Sequence, residues 1–312
     1  MSSMEPHELP GNIFMQPWWL DTVATDCWKD IRVEKGGQIF ARWPIIRKKE
    51  KGFTFITMPV LTQKLGPWIK ESGGKQESLH RNERSLLQEL ISKLPKFDKF
   101  VYNLNEDITN YLPFVWAGFT QQSLTSFRFI YPFKSEEVWS ELRSSVRRLI
   151  KRADESLTVD TNVSVKELFT MISLTFERQS KKTPYSEQLL QKLCKEAFNR
   201  KRATILGARD SDGKLHAAHL FIHDDETTYY LAGGFDADSE IPGAVNLILW
   251  NGIKEAEKRN NSFDFEGSSI ESIEYFFSSF GAKPIHFHNI QGVSKRFAPI
   301  YYGKQLLKKL KG

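Results

Sequence analysis

Apolar residues recur at two different periods along the N-terminal half of the chain. Between 78 and 94 they recur every three or four residues, which predicts an amphipathic helix. Its apolar stripe consists of Leu79, Leu86, Leu87, Leu90, Ile91 and Leu94. Shorter apolar runs predict strands at 38–47, 53–61, 97–104 and 123–133, and the tryptophan-rich segment 17–28 predicts a short helix. This half is therefore expected to be mixed α/β.

A long charged helix is predicted over 136–156, capped by Ser135, with acids in the first turn where the helix dipole favours them. Its inner stripe is expected to comprise Val138, Leu142, Leu149 and Ala153. Its cations are Arg143, Arg147, Arg148, Lys151 and Arg152. These cations are expected either to form a solvated face or to contact phosphates or a carboxylate. On the second interpretation, Arg147 and Arg148 are candidate substrate-binding residues.

The elements that follow resemble the first half in their order. A strand at 157–162 and helices at about 164–179 and 186–200 precede three antiparallel strands at 202–210, 215–224 and 228–236. A loop, a helix at 244–260 and a strand–helix–strand stretch complete the chain. We therefore predict an α/β (α+β) protein with two related domains in tandem, at 1–134 and 135–312. Each should have a mixed, mostly antiparallel sheet flanked by helices.

Composition narrows the class of protein. Of the 312 residues, 40% are hydrophobic and 26% are charged, which is enough for a packed core. The formal net charge of +6 permits a phosphate-bearing partner without requiring one. Cys27 and Cys194 stand far apart, so neither a disulfide framework nor a zinc site is expected. No secretion signal or transmembrane run is expected either, and a cytoplasmic protein fits these observations.

A glycine-bearing loop at 233–243 leads directly into the predicted helix at 244. Backbone amides at a helix N-terminus are unpaired donors, and glycines let a phosphate approach them closely. The candidate residues for such a cofactor cradle are Gly234, Gly243, Ala244, Val245 and Asn246. The loop also carries three acids, at 236, 238 and 240, which would repel a pyrophosphate. An ordinary surface loop is therefore the alternative.

The stretch from Phe263 to Glu266 places two acids in a short apolar strand. Asp264 and Glu266 alternate with Phe263 and Phe265, so both acids are expected on one face of that strand. If this face were exposed to solvent, the acids would be inert. In the next helix, Ser268 and Glu271 match a capping box.

Histidines offer a further candidate base but no metal site. His219 lies within a predicted strand and could act as a base, or could be a satisfied histidine of the sheet. His286 and His288 share one face of the last strand, and two ligands without a third make a poor metal site. No metal is therefore predicted.

The order of elements, together with five segments, resembles the GNAT acyltransferase superfamily and, more narrowly, its FemAB-like branch. The segments are QPWWLD (16–21), MPVLTQKLGPWI (58–69), SSVRRLIKRAD (144–154), HLFIHDDETTYYLAGGFD (219–236) and FDFEGSSIESIEYFFSSFGAKP (263–284). The resemblance covers nearly the whole chain and implies two tandem GNAT-like domains. Members of this kind transfer an acyl group. Some use acyl-CoA, whereas the Fem proteins use aminoacyl-tRNA and build peptide bridges on cell-wall precursors.

The resemblance also implies roles for particular residues. In such folds a residue at the end of the strand before the last helix faces the reacting amine, which makes Glu266 the expected base, with Asp264 beside it. Tyr275, on the following helix, could return a proton to the leaving group. The first domain is expected to hold the acceptor, with Lys64 and Trp68 as candidates. Alternatively, Trp68 packs in the core and Lys64 is merely exposed.

We therefore predict an acyltransferase that moves an acyl group from acyl-CoA to an amine acceptor, either a small molecule or a cell-envelope precursor. The first alternative is an aminoacyl-tRNA-dependent peptidyltransferase. The basic helix and the lysine-rich tail favour it. The Fem proteins carry a long coiled-coil helical insertion for tRNA, whereas 164–200 offers only two ordinary helices here. This difference argues against the alternative. The second alternative, motivated by the acidic loop, is a non-catalytic binding protein that kept the fold. The oligomeric state is left open.

Overall fold

The computed structural model describes residues 8–267 and 270–309. A short 3₁₀ helix at Ile13–Met15 comes first. The α-helices are α1 (Pro17–Val23), α2 (Gln76–Ser92), α3 (Leu112–Trp116), α4 (Ser135–Glu141), α5 (Ser144–Asp154), α6 (Val165–Arg178), α7 (Glu187–Asn199), α8 (Ala244–Lys258), α9 (Glu271–Ser278) and α10 (Ala298–Lys309). The strands are β1 (Trp28–Lys35), β2 (Gln38–Glu50), β3 (Phe53–Thr57), β4 (Trp68–Ile69), β5 (Lys99–Asn103), β6 (Thr120–Phe129), β7 (Thr158–Asp160), β8 (Ala203–Arg209), β9 (Leu215–His223), β10 (Thr227–Phe235), β11 (Ser262–Asp264) and β12 (Lys283–Val293).

The chain divides into two compact units whose limits differ from the predicted boundary at 134/135. The N-terminal unit comprises residues up to 124 together with those from 286 onward, and the C-terminal unit comprises 125–285. The end of the chain joins the first unit because β12 pairs antiparallel with β5, with Ile290 opposite Tyr102. The division falls within β6 because the end of that strand pairs with β11, with Phe129 opposite Phe263.

The N-terminal unit is built on a mixed sheet in the order β1-β2-β3-β5-β12, with β4 paired to β2. Only β3 and β5 run parallel among these pairs. Trp43 is fully buried at the centre of the core and makes edge contacts with Phe100, Tyr102 and Phe114. Its indole Nε1 donates to the carbonyl of Leu65 at 2.9 Å, so the one polar atom of this side chain is satisfied.

The strands of the C-terminal unit follow one another in the sheet order β6-β11-β10-β9-β8-β7. Its pairs are antiparallel except for β10 and β11. The parallel pair spans only three residue pairs, from Thr227–Ser262 to Tyr229–Asp264. Beyond Tyr229, β10 continues to Phe235 beside β9, whereas β11 ends at Asp264. The two strands therefore stop pairing midway along β10. The strand directions of both units confirm the predicted fold, which is mixed, mostly antiparallel and flanked by helices.

The predicted helix over 136–156 is wrong in one respect, because the structure has two helices there. Leu142 and Arg143 take extended ψ values of 138° and 140°, which end α4 before α5 begins. The amide of Arg143 donates instead to the carbonyl of Ser279 at 3.1 Å. Ser135 is also not the N-cap. It is the first residue of α4, which Lys134 precedes without a side-chain cap.

The observed ends of two other predicted helices differ from the predicted ones. The predicted helix at 17–28 ends at Val23, and Trp28 already begins β1, a strand that apolar periodicity did not indicate because most of its residues are polar. The part of the basic tail up to Lys309 belongs to α10. Ser268 of the predicted capping box lies outside the described residues, and α9 begins at Glu271 with Ile270 as N-cap.

Candidate active site

The two acids of β11 and the turn after it are buried, so they do not lie on a solvent face. Asp264 is 0% exposed and Glu266 is 6% exposed. Phe263 and Phe265 enter the hydrophobic core of the C-terminal unit, as their alternation with the acids predicts. The strand ends at Asp264, however, and Glu266 has a φ of 63°, so the pleat of the strand does not set the direction of the Glu266 side chain.

Asp264 forms several hydrogen bonds within the C-terminal unit. Its carboxylate accepts from Nε and Nη2 of Arg128 at 3.0 and 2.5 Å and from the hydroxyl of Ser126. It also accepts from the backbone amide of Glu266 at 2.7 Å. A buried carboxylate with these partners is held in its charged form. Asp264 therefore holds the turn that presents Glu266, which is a positioning role.

The turn at Glu266 and Gly267 is left-handed at two successive residues, with φ values of 63° and 59°. A side chain at Gly267 could not fit, because a Cβ there would lie 2.2 Å from the carbonyl oxygen of Thr125. A left-handed glutamate costs about 1–2 kcal/mol and persists only where its surroundings impose it. The hydrogen bond from the backbone amide of Glu266 to the carboxylate of Asp264 is one such constraint.

Tyr275 projects from α9 into an open position. Its side chain is 60% exposed, and the guanidinium of Arg143 lies 4.3 Å from the ring centroid. A cation over the ring face restricts where the ring can move. The proton-donor role predicted for Tyr275 stays a prediction.

His219 is buried in the C-terminal unit and stacks on Tyr230 at 4.8 Å between ring centroids. Burial lowers the pKa of His219 to about 3, so the imidazole is neutral at physiological pH. The ring lies over Gly233, where a Cβ would be 2.4 Å from its Cδ2 atom. Within the described part of the chain, its Nδ1 atom has no hydrogen-bond partner. So low a pKa makes His219 a weak base.

A cavity of about 530 Å³ opens in the C-terminal unit where the loop after β10 leads into α8. The predicted cradle residues Gly243, Ala244, Val245 and Asn246 line it. Further lining comes from α9, through Ser272, Ile273 and Phe276. The structure thus brings four of the five predicted cofactor-binding residues into one cavity.

The start of α8 has the features that an anionic group requires. Gly243 precedes the helix with a φ of 92°, and a Cβ there would lie 2.4 Å from the carbonyl oxygen of Leu149, so only glycine fits. No side chain caps this helix within the described residues. The amides of its first turn are therefore available to a ligand, and the helix dipole favours a negative one.

The acids of the preceding loop are partly compensated. Asp236 lies 3.0 Å from the ammonium of Lys214 and accepts from the amide of Asp238 at 2.9 Å. The hydrogen bond from Lys214 lowers the pKa of Asp236. Lys214 thus compensates the negative charge of one of the three acids, which reduces the repulsion of a pyrophosphate. The residues present therefore fit a phosphate-bearing donor.

Gly234, the fifth predicted cradle residue, lies away from the lining of this cavity. A Cβ at Gly234 would be 2.0 Å from the carbonyl oxygen of Met171 in α6. The adjacent amide of Phe235 donates to the Thr175 hydroxyl at 3.3 Å. The glycine permits close packing of α6 on β10.

Sequence reasoning missed a hydrogen-bonded set of three side chains at the same cavity. His216 is buried in β9 and lines the cavity together with Ser239. Its Nδ1 lies 2.6 Å from the hydroxyl of Ser239, and its Nε2 lies 2.8 Å from Oδ2 of Asp210. The three residues come from a turn, a strand and a loop. The sequence carried no spacing signal that would have joined them.

The candidates of the N-terminal unit differ in burial. Lys64 is 1% exposed, and its ammonium lies 3.4 Å from the Glu106 carboxylate and 5.5 Å from the ring centroid of Phe287. Trp68 lies half-buried in β4, beside β2. Lys64 is therefore not simply an exposed lysine, and Trp68 keeps part of its ring accessible.

The two arginine candidates of α5 have different surroundings. Nη1 of Arg147 donates to the carbonyls of Trp139, Ser140 and Leu142, at 3.2, 2.7 and 2.6 Å, and so caps the end of α4. Arg148 is exposed and lines an open basic cavity of about 550 Å³. Its other cationic lining residues are Arg147, Lys151 and Arg152.

The described residues contain neither a metal-binding cluster nor a membrane-spanning helix. Between 8 and 267 and between 270 and 309, the His, Cys, Asp and Glu side chains form no group of three or more that could hold a metal ion. The helices of these same segments include none whose length and hydropathy would suit a membrane crossing.

Comparisons with known proteins place this geometry in a class. Residues 140–269 match the family model described as an acetyltransferase (GNAT) domain. The structure of FemX is similar over 90% of this chain and 92% of that chain, with a TM-score of 0.67 at 12% sequence identity. The structure of L-PGS from Bacillus licheniformis is similar over 90% and 89%, with a TM-score of 0.51 at 12% identity. The C-terminal domain of a protein assigned as a lysylphosphatidylglycerol synthetase from Agrobacterium fabrum covers 93% and 95%, with a TM-score of 0.52 at 11% identity. No curated protein sequence matches the chain.

Residues 140–269, within the C-terminal unit, therefore form a GNAT acetyltransferase domain, which confirms the predicted superfamily and supports acyl transfer in general. The likeness of nearly the whole chain to FemX agrees in fold with the predicted FemAB-like branch.

Proposed function

We propose that this protein is an N-acyltransferase whose site lies in the C-terminal unit, with Glu266 as the base. The observation that carries the proposal is the buried turn at Glu266. It begins where β11 ends and leads into α9, which lines the 530 Å³ cavity. A strained glutamate held by Asp264 and by the tight packing of Gly267 is typical of a site that needs one fixed carboxylate.

Each part of the site has a task in amide formation. An amine must lose a proton as it attacks an activated carbonyl, and Glu266 would accept that proton. The leaving group needs a proton in return, which Tyr275 would supply. The first-turn amides of α8, from Ala244 to Asn246, would bind the anionic part of the donor. Asp264 and Arg128 would keep Glu266 in place through the turn.

Acyl-CoA would be the donor at this cavity. When bound, it supplies an activated thioester carbonyl. The uncapped start of α8, the glycine at 243 and the pairing of Asp236 with Lys214 all suit a pyrophosphate.

The amine acceptor would be a small molecule or a cell-envelope precursor, met in the cytoplasm. The structural likeness to FemX and to a protein assigned as a lysylphosphatidylglycerol synthetase supports an envelope precursor. In the N-terminal unit, Lys64 and Trp68 remain the candidate acceptor-binding residues. Trp68 offers a partly accessible aromatic platform, whereas Lys64 is 1% exposed beside Glu106 and supplies a buried charge.

An aminoacyl-tRNA donor is the second candidate, and the basic cavity of α5 favours it. Arg148, Lys151 and Arg152 line this cavity together with Trp139, and such a set of cations and an aromatic ring suits a nucleic-acid backbone. Binding of charged tRNA without CoA, with an affinity that falls steeply with salt, would select this donor.

The test combines ligand binding with turnover. Thermal shift with CoA and with acetyl-CoA should show a saturable rise in Tm, because a ligand that binds only the folded state stabilises it. Replacing Gly243 with leucine should abolish the rise, whereas the same change at Gly213, where a Cβ meets nothing within 4 Å, should keep it.

Turnover tests the base. Glu266→Gln should lower kcat by about 10²–10⁴-fold with an amine acceptor, since a general base contributes about that much. The control Glu271→Gln changes an exposed acid of α9 and should leave kcat unchanged. Full turnover in Glu266→Gln would refute the assignment of the base. Absence of binding by CoA and by charged tRNA would favour the non-catalytic alternative.

A further inference from the structure

We propose that Ser239 is a nucleophile that can accept an acyl group from an activated ester or thioester, with His216 as its base and Asp210 as the residue that positions His216. The identity of the natural donor rests on the proposed function above. The reactivity of Ser239 does not, because it depends only on these three side chains.

The geometry sets the tautomer of His216. Oδ2 of Asp210 lies 2.8 Å from Nε2 of His216, so a carboxylate there must receive the Nε2 proton. In the neutral imidazole with its proton on Nε2, Nδ1 is an acceptor, and the Ser239 hydroxyl, 2.6 Å away, is placed to donate to it. A hydroxyl that donates to an imidazole, which in turn donates to a carboxylate, is the arrangement that activates a serine.

Asp210 is well suited to hold the ring in this state. Its other oxygen, Oδ1, accepts from the amides of Asp212 and Lys214 at 3.0 and 2.9 Å. The carboxylate is therefore fixed in orientation before it meets His216, and the hydrogen bond from His216 lowers the pKa of Asp210. The negative charge on Asp210 would stabilise the imidazolium that forms when His216 accepts the serine proton.

The hydroxyl of Ser239 is also fixed in place. The amide of Ile241 donates to its Oγ at 3.2 Å, and this closes a local turn. Two acceptors compete for the serine proton, the Ile241 carbonyl at 3.3 Å and Nδ1 of His216 at 2.6 Å, and the shorter distance favours His216. Ser239 and His216 line the same 530 Å³ cavity as Ala244 and Val245 at the start of α8.

The reaction balances without any further reagent. The Oγ atom of Ser239 bonds to the acyl carbon, and the bond from that carbon to the leaving sulfur or oxygen breaks. The serine proton passes to Nδ1 of His216 and then to the leaving group. An amine or a water then attacks the new ester, gives a proton to His216 and releases the acyl product, which restores the serine hydroxyl.

The same contacts could instead serve only to hold the loop against β9, and a probe that reacts solely with activated serines separates the two roles. Incubation of the whole protein with a fluorophosphonate should add one phosphonyl group, with loss of fluoride, detected by intact mass. Peptide mapping should place the adduct on Ser239. This measurement on the unmodified protein needs no variant that might misfold.

Matched variants then assign the roles. Ser239→Ala should abolish labelling, whereas the exposed Ser92→Ala should label like the wild type. His216→Gln can keep hydrogen bonds to both neighbours but cannot take up a proton, so it should retain its Tm and lose labelling rate by about 100-fold or more. Asp210→Asn should lower the rate, because an amide can stabilise the wrong tautomer.

The outcomes separate this inference from the proposed function. Labelling of Ser239 without any transferase activity would support the nucleophile and count against the N-acyltransferase. Absence of any adduct at Ser239, in a protein whose amide-forming activity depends on Glu266, would overturn the nucleophile alone. Labelling of His216→Gln at the wild-type rate would equally overturn it, since the contacts would then be structural.

Discussion

Asp264 at the end of β11 and Arg128 of β6 form a buried ion pair directly opposite each other in the sheet of the C-terminal unit. The two residues are register partners, and the guanidinium donates to one carboxylate oxygen from both Nε and Nη2. Because the other oxygen accepts from the amide of Glu266, the pair connects the sheet to the turn of the proposed base. The stability of the sheet and the geometry of the site thus depend on one carboxylate.

Removing that charge should be costly. Asp264→Asn removes the charge that pairs with the largely buried guanidinium of Arg128, and we expect the free energy of unfolding to fall by about 3–5 kcal/mol. Urea denaturation followed by circular dichroism measures the change. The control Glu77→Gln breaks the exposed pair with Arg81 and should change stability by less than about 1 kcal/mol. Equal effects of the two substitutions would contradict the role given to Asp264.

The sequence predicted that Asp264 and Glu266 lie close together at the end of a strand. It could not show which acid is the positioning residue and which is the proposed base. Alternation with Phe263 and Phe265 correctly predicted the apolar face. It could not show that Arg128, more than a hundred residues earlier in the chain, would neutralise Asp264, because that contact depends on the pairing of β6 with β11. The set formed by Asp210, His216 and Ser239 was missed for the same reason, since tertiary contacts alone bring it together.

Gly267 should be irreplaceable for steric reasons and not only for backbone conformation. Gly267→Ala places a Cβ 2.2 Å from a carbonyl oxygen at a φ of 59°, whereas Gly36→Ala meets nothing within 4 Å at a φ of 58°. Both variants bear the left-handed cost of about 1–2 kcal/mol. The additional loss of stability in Gly267→Ala therefore measures the steric clash with the carbonyl oxygen. Transferase activity should be lost as well, because Glu266 must shift. Thermal unfolding of both variants tests this, and equal Tm values would show that the turn has room to relax.

The break between α4 and α5 shows where periodicity fails. An unbroken charged run predicts one helix, because neither Leu142 nor Arg143 is a helix breaker. A tertiary contact ends the helix instead, because the backbone amide of Arg143 donates a hydrogen bond to the Ser279 carbonyl. The break also rotates the apolar stripe, so that Val146 and Ile150 are buried whereas the predicted Leu149 is only half-buried.

Two adjacent arginines of α5 should therefore respond differently to substitution. Arg147→Ala removes the donor to three carbonyls at the end of α4, and we expect a loss of about 1.5–3 kcal/mol in the free energy of unfolding. Arg148→Ala removes an exposed side chain and should change stability by less than about 0.5 kcal/mol. If charged tRNA binds, Arg148→Ala should weaken that binding and reduce its dependence on salt. Chemical denaturation and filter binding test the pair, and equal stability of the two variants would refute the capping role.

Glu167 should make the stability of the C-terminal unit depend on acid pH. Hydrogen bonds from Arg209, followed by those from Ser164, lower the pKa of Glu167 from 4.5 to about 2. A lowered pKa in the folded state means that the contribution is complete above pH 4.5 and is lost as the pH falls towards 2. Glu167→Gln can keep the hydrogen bonds of the capping box with Ser164, so it removes the charge alone. Because the side chain is 40% exposed, the difference from the wild type at pH 7 should be at most about 1 kcal/mol.

The measurement is urea denaturation of both proteins at several pH values from 7 to 2. The difference between wild type and Glu167→Gln should be largest near neutrality and should shrink below pH 4.5. Ser164→Ala provides the contrast, because it removes the helix cap itself and should cost about 1 kcal/mol near neutrality whether or not the charge at position 167 is present. A difference that stays constant down to pH 2 would show that the ion pair between Glu167 and Arg209 contributes nothing to the acid sensitivity of the fold.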